Sequence, residues 1–214
     1  SLNKELGISA EVLLKAPEAS FPEEIKGVEW QRFPVLKMAK RCWLPKTKDL
    51  KENVEEVMRA LIDQADGIEA LSGVLLRRGK GGRYNSKMDQ YALTAWCIQV
   101  MILAQKKPLK TKYVKNSVKK TSLEEVARLS YFDDGPLLAK EYLEKQGIYM
   151  IVLPHLPKTY LDGAAMLMPD GTPVIGLTLR YDRIDNFWFC LLHELAHVAK
   201  HLSAIDSIII DDFD

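Results

Sequence analysis

Two histidines and one glutamate near the end of the chain have the types and spacing of a catalytic metal site. His193, Glu194 and His197 form an H-E-x-x-H sequence. Residues four apart on a helix project from the same face, so the two imidazoles can converge on one ion, usually zinc. Zinc lowers the pKa of a water molecule that it binds to about 7, and a neighbouring carboxylate can take the proton and pass it to a leaving amine. The spacing therefore predicts peptide hydrolysis, with His193 and His197 as metal ligands and Glu194 as general base.

The alternative to a catalytic site is a pair of solvated histidines on an amphipathic helix. Apolar residues recur at helical spacing through this segment, and Trp188, Leu191 and Leu195 mark the face that should pack on the core. His193 and His197 lie off that face, which favours a ligand role. We leave Cys190 out of the site, because an unpaired cysteine is more often a small core residue than a ligand.

The third metal ligand is left open by the sequence. The metzincin pattern requires Gly at 200 and His at 203, where this chain has Lys200 and Ser203. His201 lies about 12 Å along the helix from His193, which is too far for easy sharing of one ion. A carboxylate from a later segment remains, and the acids available are Asp206, Asp211, Asp212 and Asp214. We therefore predict a zinc site that is empty or partly filled when only these 214 residues are present.

The composition is that of an ordinary globular protein. Of 214 residues, 47% are hydrophobic and 28% are charged, which is enough to bury a core. Thirty basic and 29 acidic residues give a net charge of +1, so no overall charge favours nucleic acid, a membrane or an acidic substrate. Three separated cysteines without a C-x-x-C pair favour a reducing, cytoplasmic location. The most apolar run, 91–104, is short of the roughly 18–20 residues that cross a bilayer, so no membrane association is expected.

Helical patterning dominates the first two thirds of the chain and strand patterning follows. Proline, glycine and capping residues delimit predicted helices over 10–15, 35–42, 51–64, 85–104, 121 onward and 136–146, with Asn85 or Ser86 as the cap of the fourth. Predicted strands cover 148–153, 163–168 and 174–179, with a tight turn at 169–172. The motif lies on a last helix that Asp182 or Asp185 caps. The fold class predicted is α+β: a helical layer around a small, mainly antiparallel sheet, with a zincin-like H-E-x-x-H helix.

Three segments resemble a known family. Leu161 to Ala165, Pro173 to Leu177 and Arg183 to His197 are similar to the ImmA/IrrE metallopeptidase domain, with a match over about 122–202. This domain occurs in phage-type regulators and HigA-like antitoxins that carry a Cro/repressor-type helix-turn-helix domain. Leu2 to Ser9 resembles the closing helix of such a domain, whose DNA-binding helices are not within this sequence.

The resemblance implies an organisation and a set of roles. Residues 1–16 would be the remnant of the helix-turn-helix domain, 17–121 a helical region, and 122–214 a metallopeptidase domain that is incomplete at its C-terminus. The motif helix would pack on the sheet, the strand 174–179 would line the cleft, and zinc would be held by His193 and His197 with Glu194 as base. The family's third ligand is a glutamate on a later helix, which has no counterpart here.

The function expected is a cytoplasmic zinc-dependent endopeptidase domain of a transcriptional regulator, which cleaves or controls a helix-turn-helix repressor. DNA would be contacted only through a domain outside this chain. His155, Tyr160 and Arg180 are candidates for substrate contact, because they follow predicted strands near the motif. The alternative is a non-catalytic module of a repressor or antitoxin that uses a degenerate peptidase cleft for binding. Cleavage that a chelator abolishes would distinguish the enzyme from the binding module.

Overall fold

A computed structural model describes residues 28–44, 49–65, 88–202 and 208–210. The predicted helix-turn-helix remnant at 1–16 lies outside these residues. The four aspartates proposed as third ligands, at 206, 211, 212 and 214, lie outside them as well.

The first half of the described chain is helical, as predicted. It contains a short 3-10 helix, Trp30–Arg32, and the helices α1 (Val35–Lys40), α2 (Val54–Gln64) and α3 (Gln90–Gln105). The start of α3 is later than predicted: the Asp89 carboxylate accepts from the backbone N–H groups of Tyr91 and Ala92 at 3.0 and 3.3 Å, and the predicted caps Asn85 and Ser86 lie outside the described residues. An aspartate at this position satisfies two donors that the helix itself cannot, so the helix begins there.

The second half contains three more helices. These are α4 (Lys120–Arg128), followed by the 3-10 turn Leu129–Tyr131, then α5 (Gly135–Lys145) and α6 (Ile184–Lys200). The predicted cap of α6 is wrong: Arg183 is the N-cap residue, and no side chain hydrogen bond caps the helix. Asp185 pairs with the Arg183 guanidinium instead. Among the described helices, none has both the length and the apolarity needed to span a bilayer.

The strands form one four-stranded sheet of order β1-β3-β2-β4. Its members are β1 (Tyr149–Val152), β2 (Gly163–Leu167), β3 (Pro173–Leu177) and β4 (Ile208–Ile210). β2 runs antiparallel to both β3 and β4, whereas β1 runs parallel to β3. The sheet is therefore mixed: two of its three strand pairs are antiparallel, as predicted, and the β1–β3 pair is parallel, which the sequence did not predict. Parallel pairing arises because the chain crosses from β1 to β2 and returns through a tight turn into β3, which lies between them.

The tight turn between β2 and β3 has the predicted residues. Gly171 has a φ of +83°, which only glycine adopts at little cost. The Asp170 carboxylate accepts from the Thr172 N–H at 2.9 Å, and the backbone groups of Met168 and Thr172 close the turn. This turn fixes the antiparallel register in which Gly163 faces Leu177 and Ala164 faces Gly176.

The sheet separates two apolar cores, because alternate residues of each strand point to opposite faces. One face packs against α1, α2 and α3, and its strand residues are Ala164, Met166, Val174 and Ile208. The other face packs against α4, α5 and α6, and its strand residues are Met150, Ala165, Ile175 and Leu177. Both faces of the central strands are covered, which explains their uninterrupted apolar sequence.

Candidate functional site

The two motif histidines lie on adjacent turns of α6, so the prediction that the motif is helical is confirmed. The Nε2 atoms of His193 and His197 are 2.9 Å apart, and the ring centroids are 4.6 Å apart. Two nitrogens bound to one tetrahedral zinc at 2.0–2.1 Å would be separated by about 3.3 Å. The pair is therefore already close to the geometry that one ion requires. Without an ion, this distance needs one neutral ring to accept a hydrogen bond from the other.

The Glu194 side chain is fully buried between α6 and the sheet. Its exposed fraction is 0%, and the start of β2 lies directly against it. A Cβ atom placed on Gly163 would be 2.9 Å from both Cγ and Oε1 of Glu194, closer than packed carbon atoms approach. Glycine at 163 therefore makes the space that the carboxylate occupies.

Two strands pack against the motif helix, β2 and β3. The resemblance placed a strand at 174–179 along the cleft; β3 covers 173–177, and it is hydrogen-bonded on both edges, to β1 and to β2. A strand with two occupied edges cannot pair with a peptide. The contact with Glu194 comes from the first residue of β2 instead.

The structure does not identify a third metal ligand among the described residues. In the described ranges, no three His, Cys, Asp or Glu side chains are arranged to hold a metal ion. The ring of His201 lies 5.4 Å from that of His197, on the exposed end of α6. The two-histidine donor pair fits a zinc ion, and the source of further ligands remains a prediction.

A second buried carboxylate lies near Glu194, which the sequence analysis did not include in the site. Asp162 precedes Gly163 and is 7% exposed, and it and Glu194 are the buried acids of the described residues. Burial, then the carboxylates of Asp162 and Glu194, raise the pKa of the Cys190 thiol to about 12. The thiol is therefore protonated at neutral pH, as expected of a core cysteine. An acid within the otherwise apolar run 161–168 was the available signal for Asp162.

The three predicted substrate contacts meet at one end of the sheet. His155 and Tyr160 lie between β1 and β2, and Arg180 follows β3. The Arg180 Cζ atom is 5.7 Å from the centroid of the Tyr160 ring. Burial, then the guanidinium groups of Arg41 and Arg180, lower the pKa of the His155 imidazole, and the Asp162 carboxylate opposes them. Arg41, which follows α1, is thus a member of this group that sequence reasoning missed.

Unusual backbone conformations concentrate around these side chains. Five non-glycine residues of the described chain have positive φ, and four of them border the group: Cys42, Lys158, Tyr160 and Leu179. Such conformations cost about 1–3 kcal/mol each and persist only where surrounding contacts impose them. Here the contacts include the Arg41 guanidinium, whose Nη1 donates to the Pro154 carbonyl at 2.6 Å, and the Trp96 indole, whose Nε1 donates to the Leu153 carbonyl at 3.0 Å.

An exposed aromatic side chain flanks the histidine pair. The Phe189 ring stacks on His193, with centroids 6.1 Å apart and an angle of 28° between the planes. Phe189 is one turn before His193 on α6, so its position could have been read from the helical spacing. Its ring limits the orientations that the His193 imidazole can take.

Comparison with protein-family models, with curated proteins and with solved structures gave no match to this chain.

Proposed function

We propose that this chain contains a zinc-dependent endopeptidase domain of a transcriptional regulator, and that it cleaves or controls a helix-turn-helix repressor. The observation that carries the catalytic part is the convergence of the His193 and His197 Nε2 atoms, 2.9 Å apart, next to the buried Glu194. The resemblance of three segments to the ImmA/IrrE domain supports the regulatory part and the choice of a repressor as substrate.

Each residue of the motif has a distinct chemical task in this proposal. His193 and His197 would hold the ion through Nε2. When bound, zinc supplies Lewis-acid activation of a water molecule and of the scissile carbonyl. The Glu194 carboxylate would take the proton of the attacking water and deliver it to the nitrogen of the leaving amine. Gly163 leaves the space in which that carboxylate sits, and Phe189 restricts the His193 ring.

The test is cleavage of candidate repressors by the purified protein with zinc and with a chelator. We expect chelator-sensitive cleavage, and we expect Glu194→Gln to lower turnover about 10²-fold or more while metal content is kept, since the base is removed and the ligands stay. The matched control is Glu124→Gln. Glu124 pairs with Lys120 on the exposed surface of α4, so this variant should cleave at the wild-type rate. Undiminished turnover by Glu194→Gln would overturn the mechanism.

Metal analysis separates the roles of the ligands from that of the base. His193→Ala should lose zinc, whereas Glu194→Gln should not. Zinc that dissociates readily from the 214-residue protein would agree with the prediction that a further ligand is needed. Stoichiometric zinc after dialysis against a mild chelator would show that these residues already supply it. Repressor binding without cleavage, unaffected by chelator, would favour the non-catalytic module instead.

A further inference from the structure

A lysine-rich segment leads from the end of α3 into the start of α4. Residues 106–120 contain seven lysines and no arginine, aspartate or glutamate. All seven lysines are exposed: Lys106, Lys107, Lys110, Lys112, Lys115, Lys119 and Lys120. The net charge of the whole chain is only +1, so positive charge is concentrated locally in these residues, which we call the lysine segment.

Most of this charge is not neutralised by neighbouring acids. Lys107 Nζ lies 3.7 Å from Glu144 Oε2, and Lys120 Nζ lies 3.5 Å from Glu124 Oε1. Five lysines form no ion pair with any residue of the described ranges: Lys106, Lys110, Lys112, Lys115 and Lys119. Charges of one sign that are left unpaired on a surface attract a partner of the opposite sign.

Contacts with the body of the protein hold the backbone of the lysine segment. The Leu109 N–H donates to the Tyr149 hydroxyl at 3.3 Å, and Tyr149 is the first residue of β1. Gly147 follows α5 and has a φ of +76°. A Cβ atom on Gly147 would be 2.6 Å from the Tyr113 Cα atom and 2.7 Å from the Lys112 carbonyl carbon. Only glycine therefore lets the lysine segment pass this close to the end of α5.

The lysine segment folds around the end of α5, which groups its charges. Lys107 reaches Glu144 in the last turn of α5, and the backbone at Lys112 lies against Gly147. Those two contacts are neighbours, because the Gly147 N–H donates to the Glu144 carbonyl at 3.2 Å. Lys145, in the same turn, is exposed as well. Three exposed lysines therefore belong to this one helix end.

The lysine segment lies at the edge of the sheet opposite Glu194. β1 begins at Tyr149, which the segment contacts, and β3 begins at the same edge because it runs parallel to β1. Gly163, which lies against Glu194, pairs with Leu177 at the end of β3. The two places are separated by the length of β3, roughly 13 Å. A partner bound to the lysine segment therefore need not enter the proposed active site.

The residues of the segment distinguish between anionic partners. Lysine acts as a point charge on phosphate, whereas recognition of a carboxylate at a defined position favours the bidentate arginine. A membrane surface is bound through several apolar side chains, and Val114 is the one large apolar residue exposed in this segment, all of which is described. Single-stranded nucleic acid stacks on exposed aromatic rings, and the one aromatic residue here, Tyr113, is half-buried. These features favour the phosphates of a duplex.

We propose that the lysine segment binds the phosphate backbone of a nucleic-acid duplex without reading its sequence. The ammonium groups release counterions that are condensed on the duplex, and this release favours binding. DNA and RNA duplexes share this backbone, and the experiment distinguishes them. On DNA, the contact would add to the one expected through a helix-turn-helix domain outside this chain. Neither zinc nor cleavage is needed for this binding, which goes beyond the proposed function.

The experiment measures duplex binding by fluorescence anisotropy. The 214-residue protein is titrated into labelled DNA and RNA duplexes of about 20 base pairs, at salt concentrations from about 50 to 200 mM. We expect the logarithm of the binding constant to fall against the logarithm of salt concentration with a slope of about −3 to −5, since each neutralised phosphate contributes about −0.9. Two DNA duplexes of unrelated sequence should bind equally. The duplex that binds more tightly, DNA or RNA, identifies the source.

A triple variant tests whether the lysine segment is responsible. Lys110→Gln, Lys112→Gln and Lys115→Gln are combined in one protein, and all three side chains are exposed and without a described ion pair. This variant should bind about tenfold or more weakly at low salt, and its salt slope should be closer to zero by about 2–3.

The matched control loses the same charge at another place. It combines Lys37→Gln, Lys40→Gln and Lys51→Gln, three exposed lysines of α1 and of the segment before α2. The end of α1 lies beyond the end of β1, where Arg41 Nη1 donates to the Pro154 carbonyl at 2.6 Å. Charges this far from the lysine segment are screened by salt, so the control should bind within about twofold of the wild type.

Lysine acetylation of the wild-type protein gives an independent measurement that needs no variant. Peptide mapping by mass spectrometry should show that the duplex protects lysines within 106–120 and leaves Lys37, Lys40 and Lys51 reactive. Absence of duplex binding, or an equal loss in both triple variants, would overturn the proposal. So would tighter binding to phosphatidylserine vesicles, polyglutamate or single-stranded DNA than to either duplex. No step of these assays depends on zinc or turnover, so such a result leaves chelator-sensitive repressor cleavage to be judged separately.

Discussion

The helices α3 and α6 cover opposite faces of the same sheet, yet their interiors differ in kind. α3 is buried almost throughout, and its Trp96 packs on the sheet with an exposed fraction of 0%. α6 also buries an apolar stripe, but in the middle of it lies the fully buried acid Glu194, followed by the half-buried His197. Burial of a carboxylate costs free energy that an apolar residue would not. The α3 face therefore contributes mainly to stability, and under the proposed function the α6 face gives up stability to position the catalytic carboxylate.

Two glycines show the same contrast within the sheet. Gly176 on β3 faces α3, where a Cβ would be 2.6 Å from the Trp96 ring. Gly163 on β2 faces α6, where a Cβ would meet the Glu194 carboxylate. Each glycine makes room for one large side chain, but one of those is a core tryptophan and the other is the proposed base. Stability should therefore depend on the first, and activity on the second.

The largest effect is expected from Trp96→Ala. Removing this fully buried ring should lower the free energy of unfolding by about 3–5 kcal/mol, as for other buried aromatic residues. Trp188 on α6 is half-buried, so Trp188→Ala should cost less, about 1–2 kcal/mol. Denaturant unfolding of both variants measures the two values. Equal losses would contradict the view that the α3 face carries more of the stability.

The glycine pair separates stability from activity. Gly176→Ala forces a methyl group against the rigid Trp96 ring and should lower the free energy of unfolding by about 1–3 kcal/mol, with turnover kept in the folded protein. Gly163→Ala should instead displace the Glu194 carboxylate and lower turnover about tenfold to a hundredfold. Both quantities are measured for both variants. Cleavage at the wild-type rate by the Gly163→Ala protein would contradict the view that Gly163 makes room for a catalytic carboxylate.

The smallest effect concerns the two buried cysteines. Burial raises the pKa of Cys97 in α3 to about 12, and burial together with Asp162 and Glu194 does the same for Cys190 in α6. Both should therefore hold about a thousandfold less thiolate than a free cysteine, and iodoacetamide at pH 8 should modify the exposed Cys42 first.

Asp162→Asn should speed modification of Cys190 and leave the modification rate of Cys97 unchanged. Peptide mapping by mass spectrometry gives the three rates, and an equal response of both buried thiols would show that Asp162 does not act on Cys190.

Local sequence patterns predicted most of the helices and strands, and the errors concerned the residues at which they begin and end. Helices α4 and α5 and the strands β1, β2 and β3 lie within a few residues of the predicted ranges. The apolar run at 208–210 forms the edge strand β4, and β-branched residues such as these isoleucines favour strands. The caps were predicted less well because several acceptors lie near each helix start: Asp89 caps α3, and Asp185 pairs with Arg183 instead of capping α6.

The sequence by itself determined the spacing of His193, Glu194 and His197, because four residues of helix bring two side chains to one face whatever surrounds them. Only the tertiary structure decided what lies around that motif. The parallel pairing of β1 with β3 places the ends of both strands together, and this joins His155 to Arg180 and brings Arg41 to them from across the chain. An antiparallel pair would put His155 at the opposite end of the sheet. Strand direction depends on how connections cross the whole sheet, which no local pattern of residues encodes.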